Sequence, residues 1–112
     1  MAVTIERQGN AIIAQVSGRV DGTNAAEFQD DLIPVTEGTN QAVILDIGGL
    51  SYISSAGLRV ILLIARTLRS KDATFMVCSP TDSIREIFEI SGFSQIIPIH
   101  NSQAEAVAAI DG

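Results

Sequence analysis

The sequence predicts a single α/β domain: a mixed central β-sheet with helices packed on it, in the order β-β-α-β-α-β-α-β-α. Three observations carry this prediction. Short β-rich or apolar runs recur along the 112 residues. Segments with helical spacing of apolar residues separate the later runs, which implies parallel strands joined by right-handed crossovers. The first two runs are parted only by Gln8-Gly9-Asn10, a hairpin turn, and this makes the sheet mixed.

Val3–Glu6 and Ala11–Ser17 form that opening hairpin. Ser17-Gly18-Arg19-Val20-Asp21-Gly22 reads as a loop. Asn24 then caps a helix, with Glu27 at the third helical position completing a capping box. Ala25, Phe28 and Leu32 supply its buried stripe, and Pro34 is expected to end or kink it. Glu37-Gly38-Thr39-Asn40 leads into Ala42-Val43-Ile44-Leu45-Asp46, a continuous apolar run of the kind buried on both faces of a parallel sheet. Gly48-Gly49 is expected to break that strand. After Ser51-Tyr52-Ile53 come Ser54 and Ser55, and then a long helical pattern. On a wheel of about 100° per residue, Leu58, Ile61, Leu62, Ala65 and Leu68 share the core face. Arg59, Arg66 and Ser70 lie on the other face, with Leu63 near its middle. Ala73–Cys78 is a further strand. Ser79–Ser83 holds cap candidates for a helix to about Ile90, with Ile84, Ile87 and Phe88 inward. Gly92 suits a left-handed helix end. Ile96-Ile97-Pro98-Ile99 is a last strand, placed at a sheet edge by its proline. Ser102 opens a final helix with Ala106, Val107 and Ile110 inward. No repeat, linker or low-complexity segment divides the chain, so residues 1–112 form one domain.

Composition excludes several functions. The net charge is −6 and no basic cluster exists. Nucleic acid is therefore not an expected partner, because phosphate binding needs a positive footprint. A single cysteine, Cys78, rules out an internal disulfide and a cysteine metal cluster. The first ten residues carry no long apolar segment, and no apolar run approaches the ~20 residues that span a bilayer. The expectation is a soluble cytoplasmic domain with no membrane contact. Catalysis is not expected either. The only histidine, His100, is expected at the surface between a strand and a helix, and there is neither a nucleophile elbow nor a phosphate loop. Asp21 and Asp46 would be neighbours if both ended strands, but two carboxylates without a third ligand do not make a metal site. No cofactor or metal is expected.

Ser54 and Ser55 remain, at the start of a helix and close to the end of a strand, where α/β proteins commonly place their sites. One of them can serve as a structural cap. A phosphate here would also meet unpaired backbone N–H groups and the positive end of the helix dipole. It would add roughly −1.5 to −2 charges.

The segment Val43–Arg69, containing LDIGGLSYISSAGLR, resembles the STAS domain family of anti-sigma factor antagonists. Gly18-Arg19-Val20-Asp21 is similar to that family's G-x-[LV]-D loop, and Leu45-Asp46 to its central strand. Met76–Pro80 and Phe88–Phe93 resemble its later strand and helix. The resemblance implies a small cytoplasmic, non-enzymatic protein of a partner-switching circuit. Its partners would be a serine kinase that is also an anti-sigma factor, and a metal-dependent serine phosphatase. The unphosphorylated form would sequester the kinase, and phosphorylation would release it. Many members carry D-S-[ST]-G-L with the first serine phosphorylated. Aligned on Gly57-Leu58, Ser55 takes that position, Ser54 stands in place of the aspartate and Ala56 in place of the next hydroxyl residue. Ser55 is thus the expected phosphorylation site, with Ser54 the alternative. Asp21, Asp46, Ala56 and Gly57 are expected near it, and Arg59, Leu63 and Arg66 are expected to bind the partner. The alternatives within the family are an unphosphorylated accessory or scaffold subunit, as of a lipid transporter, and partner switching with an output other than a sigma factor.

Overall fold

The computed structural model describes residues 1–37 and 42–111. The elements are β1 (Ala2–Gln8), β2 (Ala11–Val20), α1 (Ala25–Thr36), β3 (Ala42–Ile53), α2 (Ser55–Ser70), β4 (Phe75–Cys78), α3 (Asp82–Ile90), a 3₁₀ turn (Phe93–Gln95), β5 (Ile99–His100) and α4 (Gln103–Asp111). The order is the one the sequence predicts. From Gly38, the lead-in to β3 lies outside the described residues.

The strands lie in the spatial order β1-β2-β3-β4-β5. β1 is antiparallel to β2, and every later pairing is parallel. Each of the three crossovers therefore steps one place across the sheet in the same direction. With one hand for all three, α1, α2 and α3 must fall on the same face. Alternation along the strands then divides the core. Val16, Leu45 and Val77 meet Phe28, Ile61, Leu68 and Phe88 on the three-helix face. Ile13, Ile44, Met76 and Cys78 point the other way, where Ala106 of α4 covers them with Val107 and Ile110 beside it. Ala42–Leu45 is buried on both faces, as its composition implies.

Several local expectations are corrected. Gly48-Gly49 does not break β3, which runs on to Ile53. The glycines instead permit close approach: a Cβ at Gly49 would lie 2.9 Å from Ser17 Cβ. The ladder to β2 shifts register between Gln15 and Ser17 and again between Gly18 and Arg19. Consequently Ser17–Val20 is strand rather than loop. Asn24 stands at the N-cap of α1, but its side chain turns back. Its Oδ1 accepts from the Asp21 N–H at 2.9 Å and its Nδ2 donates to the Arg19 carbonyl at 2.9 Å, so no capping box forms. Pro34 lies within α1, which continues to Thr36. The last strand is only Ile99–His100, paired with Val77 and Cys78 at the sheet edge, and Ile96 and Ile97 precede it. His100 is thus half-buried within that strand rather than in the connection after it.

In α2 the fully buried side is Gly57, Val60, Ile61, Ile64 and Leu68. Leu58, Leu62 and Ala65 are only half-buried. The core face is rotated by roughly 80° from the one expected, at ~100° per residue. Leu63 is exposed, as expected, at 42%. Arg69 is exposed as well.

Candidate functional site

β2 and β3 end together, with Val20 paired to Ile53. The Ser54 N–H donates to the Val20 carbonyl at 2.9 Å. This bond fastens the start of α2 to the end of β2, so that Asp21, the next residue of the chain, follows directly on the residue that holds Ser54. Ser54 has extended backbone angles and is the N-cap of α2. Its Oγ accepts from the Gly57 N–H at 3.3 Å, and its carbonyl accepts from the Leu58 N–H at 2.9 Å. Ser55 is the first helical residue and is exposed, and its hydroxyl has no hydrogen-bond partner among the described residues. The two hydroxyls therefore divide the work: Ser54 caps the helix and Ser55 faces outward.

Gly57 is required by packing. A Cβ there would lie 2.7 Å from Ile53 Cγ1 and 2.8 Å from Val20 Cγ1. Without a side chain, the first turn of α2 rests directly on the two strand ends. Ala56, between them, is half-buried. Asp21 Oδ1 accepts from both the Thr23 N–H at 2.9 Å and the Thr23 hydroxyl at 2.6 Å. These two bonds, with the charge of Arg19, hold its carboxyl below the ordinary value of 3.8. Asp21 is ionised at neutral pH.

Asp46 does not belong to this cluster. Because β3 continues to Ile53, Asp46 lies about 23 Å of strand away, at ~3.3 Å per residue, and it shares the strand face of Ile44. Its Oδ1 accepts from the Gly48 N–H at 2.9 Å and its Oδ2 from Gln103 Nε2 of α4 at 2.6 Å. It is a structural carboxylate whose two oxygens each accept a hydrogen bond, and it is not a neighbour of Asp21. Among the described residues no group of three or more His, Cys, Asp or Glu side chains is placed to hold a metal ion.

Arg59, Leu63 and Arg66 follow Ser55 along the outer side of α2, all exposed. They stand about 6, 12 and 17 Å along the axis from it, at ~1.5 Å per residue. Sequence reasoning missed one feature at this end of the sheet. The Arg19 guanidinium lies 4.5 Å from the centroid of the Tyr52 ring, a cation–π contact between paired strand residues. Tyr52 is the only tyrosine in the chain and is 40% exposed. The sequence carries no signal for this pairing, because it depends on β3 running on past Gly48-Gly49.

The site is thus an N-capped helix rising from paired parallel strand ends, with an exposed serine at its first position. The model of one domain family, the STAS domain, matches residues 2–106. The chain belongs to the STAS domain family. Among curated proteins, this STAS domain is 40% identical to the "Putative anti-sigma factor antagonist BtrV" of Bordetella bronchiseptica over 109 residues, spanning 97% of this chain and 94% of BtrV. An anti-sigma factor antagonist from Mycobacterium paratuberculosis has the same fold, with a TM-score of 0.90 at 18% identity, covering 99% of this chain and 94% of that one. So has SpoIIAA in its unphosphorylated form, with a TM-score of 0.82 at 18% identity and coverage of 99% and 97%. The Bacillus SpoIIAA structure in the phosphorylated form matches with a TM-score of 0.75 at 18% identity, covering 97% and 99%. STAS anti-sigma factor antagonists are regulatory proteins rather than enzymes. No helix among the described residues is long and apolar enough to cross a membrane.

Proposed function

We propose that this STAS domain is an anti-sigma factor antagonist that works by partner switching. Unphosphorylated, it binds and sequesters a serine kinase that is also the anti-sigma factor. Phosphorylation of Ser55 releases the kinase, and a metal-dependent serine phosphatase restores the binding form. The observation that carries this reading is the division between the two hydroxyls. Ser54 is half-buried and occupied as the cap, whereas Ser55 is exposed with its hydroxyl free at a helix N-terminus. A phosphate on Ser55 would sit at the positive end of α2 without displacing the cap. It would also add negative charge to a chain already at −6. A partner whose contact surface matches the neutral hydroxyl would then face repulsion and a desolvation cost. Arg59, Leu63 and Arg66, next along α2, form the docking face in this reading: an apolar centre flanked by arginines has the composition of interface cores. The relatives named as anti-sigma factor antagonists support the output, and the existence of SpoIIAA in both phosphorylation states supports the switch.

The test is phosphosite mapping by mass spectrometry after incubation with the cognate kinase and ATP. Modification is expected on Ser55 alone. Ser55→Ala should abolish it and keep the kinase bound in the presence of ATP. Phosphate on Ser54, or persisting on Ser55→Ala, would refute the assignment.

A further inference from the structure

On the three-helix face, a half-open groove of about 450 Å³ lies between α2 and the chain that joins α3 to β5. Leu62, Phe75 and Ile96 line it, with Arg66 and Arg69 of α2 and Asp72 of the turn after it. Ile96 is 52% exposed. The outward charges of α2 are all positive: Arg59, Arg66 and Arg69 are exposed, and none forms an ion pair among the described residues. The outward charges of α3, the next helix of the same layer, are negative. Asp82, Glu86 and Glu89 are exposed, while Arg85 is turned aside to Asn101 Oδ1 at 2.6 Å. At the end of α3, directly after Glu89, Ile90 is 79% exposed, the highest value among the exposed large apolar side chains.

One face of the molecule therefore carries a basic helix with an apolar groove and, next to it, an acidic helix with a projecting isoleucine. The two patches are complementary yet leave each other unpaired. Both helices run from the C-terminal end of one parallel strand to the N-terminal end of the next, so they point the same way. A two-fold axis running parallel to them would lay α3 of a second copy along α2 of the first, pointing the same way, and would form the same contact twice. We propose that this face binds a second copy of the chain as a two-fold dimer, with Ile90 of each copy in the groove of the other and its Glu86 and Glu89 against Arg66 and Arg69. Local complementarity of this kind offsets the general repulsion between two chains of net charge −6. Arg69 is about 21 Å along α2 from Ser55, at ~1.5 Å per residue. The dimer thus leaves the serine open, and its existence does not depend on the functional reading above.

The experiment is sedimentation velocity of the full chain over a range of concentrations. The wild type should show a reversible monomer–dimer equilibrium. The double variant Arg66→Glu/Arg69→Glu should weaken it by about tenfold or more, and so should Glu86→Arg/Glu89→Arg. Mixing the two variants should restore the dimer as a heterodimer, because both contacts then regain opposite charges. All the altered side chains are exposed, and circular dichroism checks that each variant is folded; Ile90→Ser, which leaves every charge in place, should weaken the dimer as well. A wild type that stays monomeric throughout would overturn the proposal, even if the groove takes an anionic amphiphile or an acidic segment of another protein. Dimerisation indifferent to the charge reversals, no recovery on mixing, or species larger than dimers from a head-to-tail contact would overturn it too.

Discussion

A methyl group at Gly57 would lie 2.7 Å from Ile53 and 2.8 Å from Val20, both branched side chains fixed in the core. Alanine at a helical position normally gains about 1 kcal/mol over glycine. Overpacking a filled site costs about 1–3 kcal/mol. Contact wins here, because neither neighbour has a flexible end to move. Gly57→Ala is expected to lower stability to urea by up to about 2 kcal/mol and to lift the first turn of α2, with Ser55, off the strand ends. A stabilised variant would mean that the first turn yields freely. At the same scale, Asp21 is held below 3.8 first by the Thr23 hydroxyl, then by the Thr23 N–H, and less by Arg19. The folded value is the lower one, so the unfolded chain binds more protons in that range. The stability contributed is therefore present above pH 3.8 and is lost as pH falls through the folded value. A ¹³C-carboxyl NMR titration of Asp21 should give a midpoint below 3.8, and Thr23→Val should bring it back up. The place of Ser54 and Ser55 was legible from two hydroxyls standing before a helical pattern. The necessity of Gly57 was not, because it depends on Val20 and Ile53 meeting across 33 residues of chain.

α2 shows what periodicity resolves and what it does not. Its existence, its start and the exposure of Leu63 follow from the pattern, but its buried side is rotated toward Val60 and Ile64. The reason is that Val60–Ala65 is apolar on nearly every side, and the bare Gly57, which sets the contact with the sheet, adds nothing to a hydrophobic wheel. The same limit affected β3. Two adjacent glycines normally signal a turn, yet here they let β3 pass close to β2 at Ser17. That error placed Asp46 at a strand end and so, wrongly, beside Asp21. The prediction at this scale concerns the outer side of α2. Leu63 is 42% exposed, so Leu63→Glu should cost below about 1 kcal/mol and leave the melting temperature within a few degrees of wild type. If the kinase docks here, affinity measured by calorimetry should fall by about 1–3 kcal/mol. Wild-type affinity would remove Leu63 from the interface.

Alternation of strands and helices gave the α/β class and the element order, since each apolar run and each amphipathic stretch reports its own type. The spatial order β1-β2-β3-β4-β5 is a property of pairing and is not written in any one segment. Once it is known, the common hand of the crossovers requires α1, α2 and α3 to share a face, and the opposite face is left to α4. That helix is lightly held. Ala106 is its one fully buried side chain among the described residues, with Val107 and Ile110 partly covered. Its polar tie is Gln103 Nε2 donating to Asp46 Oδ2 at 2.6 Å. A hydrogen bond to a charged acceptor contributes about 1.5–3 kcal/mol, and removing the donor leaves a half-buried carboxylate less well satisfied. Gln103→Ala should therefore lower global stability by about 1–3 kcal/mol. It should also raise amide hydrogen exchange in α4 ahead of α1, α2 and α3, which are packed on the other side of the sheet and share no side-chain contact with Gln103. Ser55 lies at the far end of that other face, so under the proposed function its phosphorylation rate should not change in this variant. A uniform rise in exchange across both faces would show that α4 and the three-helix layer open as one unit, and a slowed phosphorylation would show that the tether at Asp46 is felt along the whole length of β3.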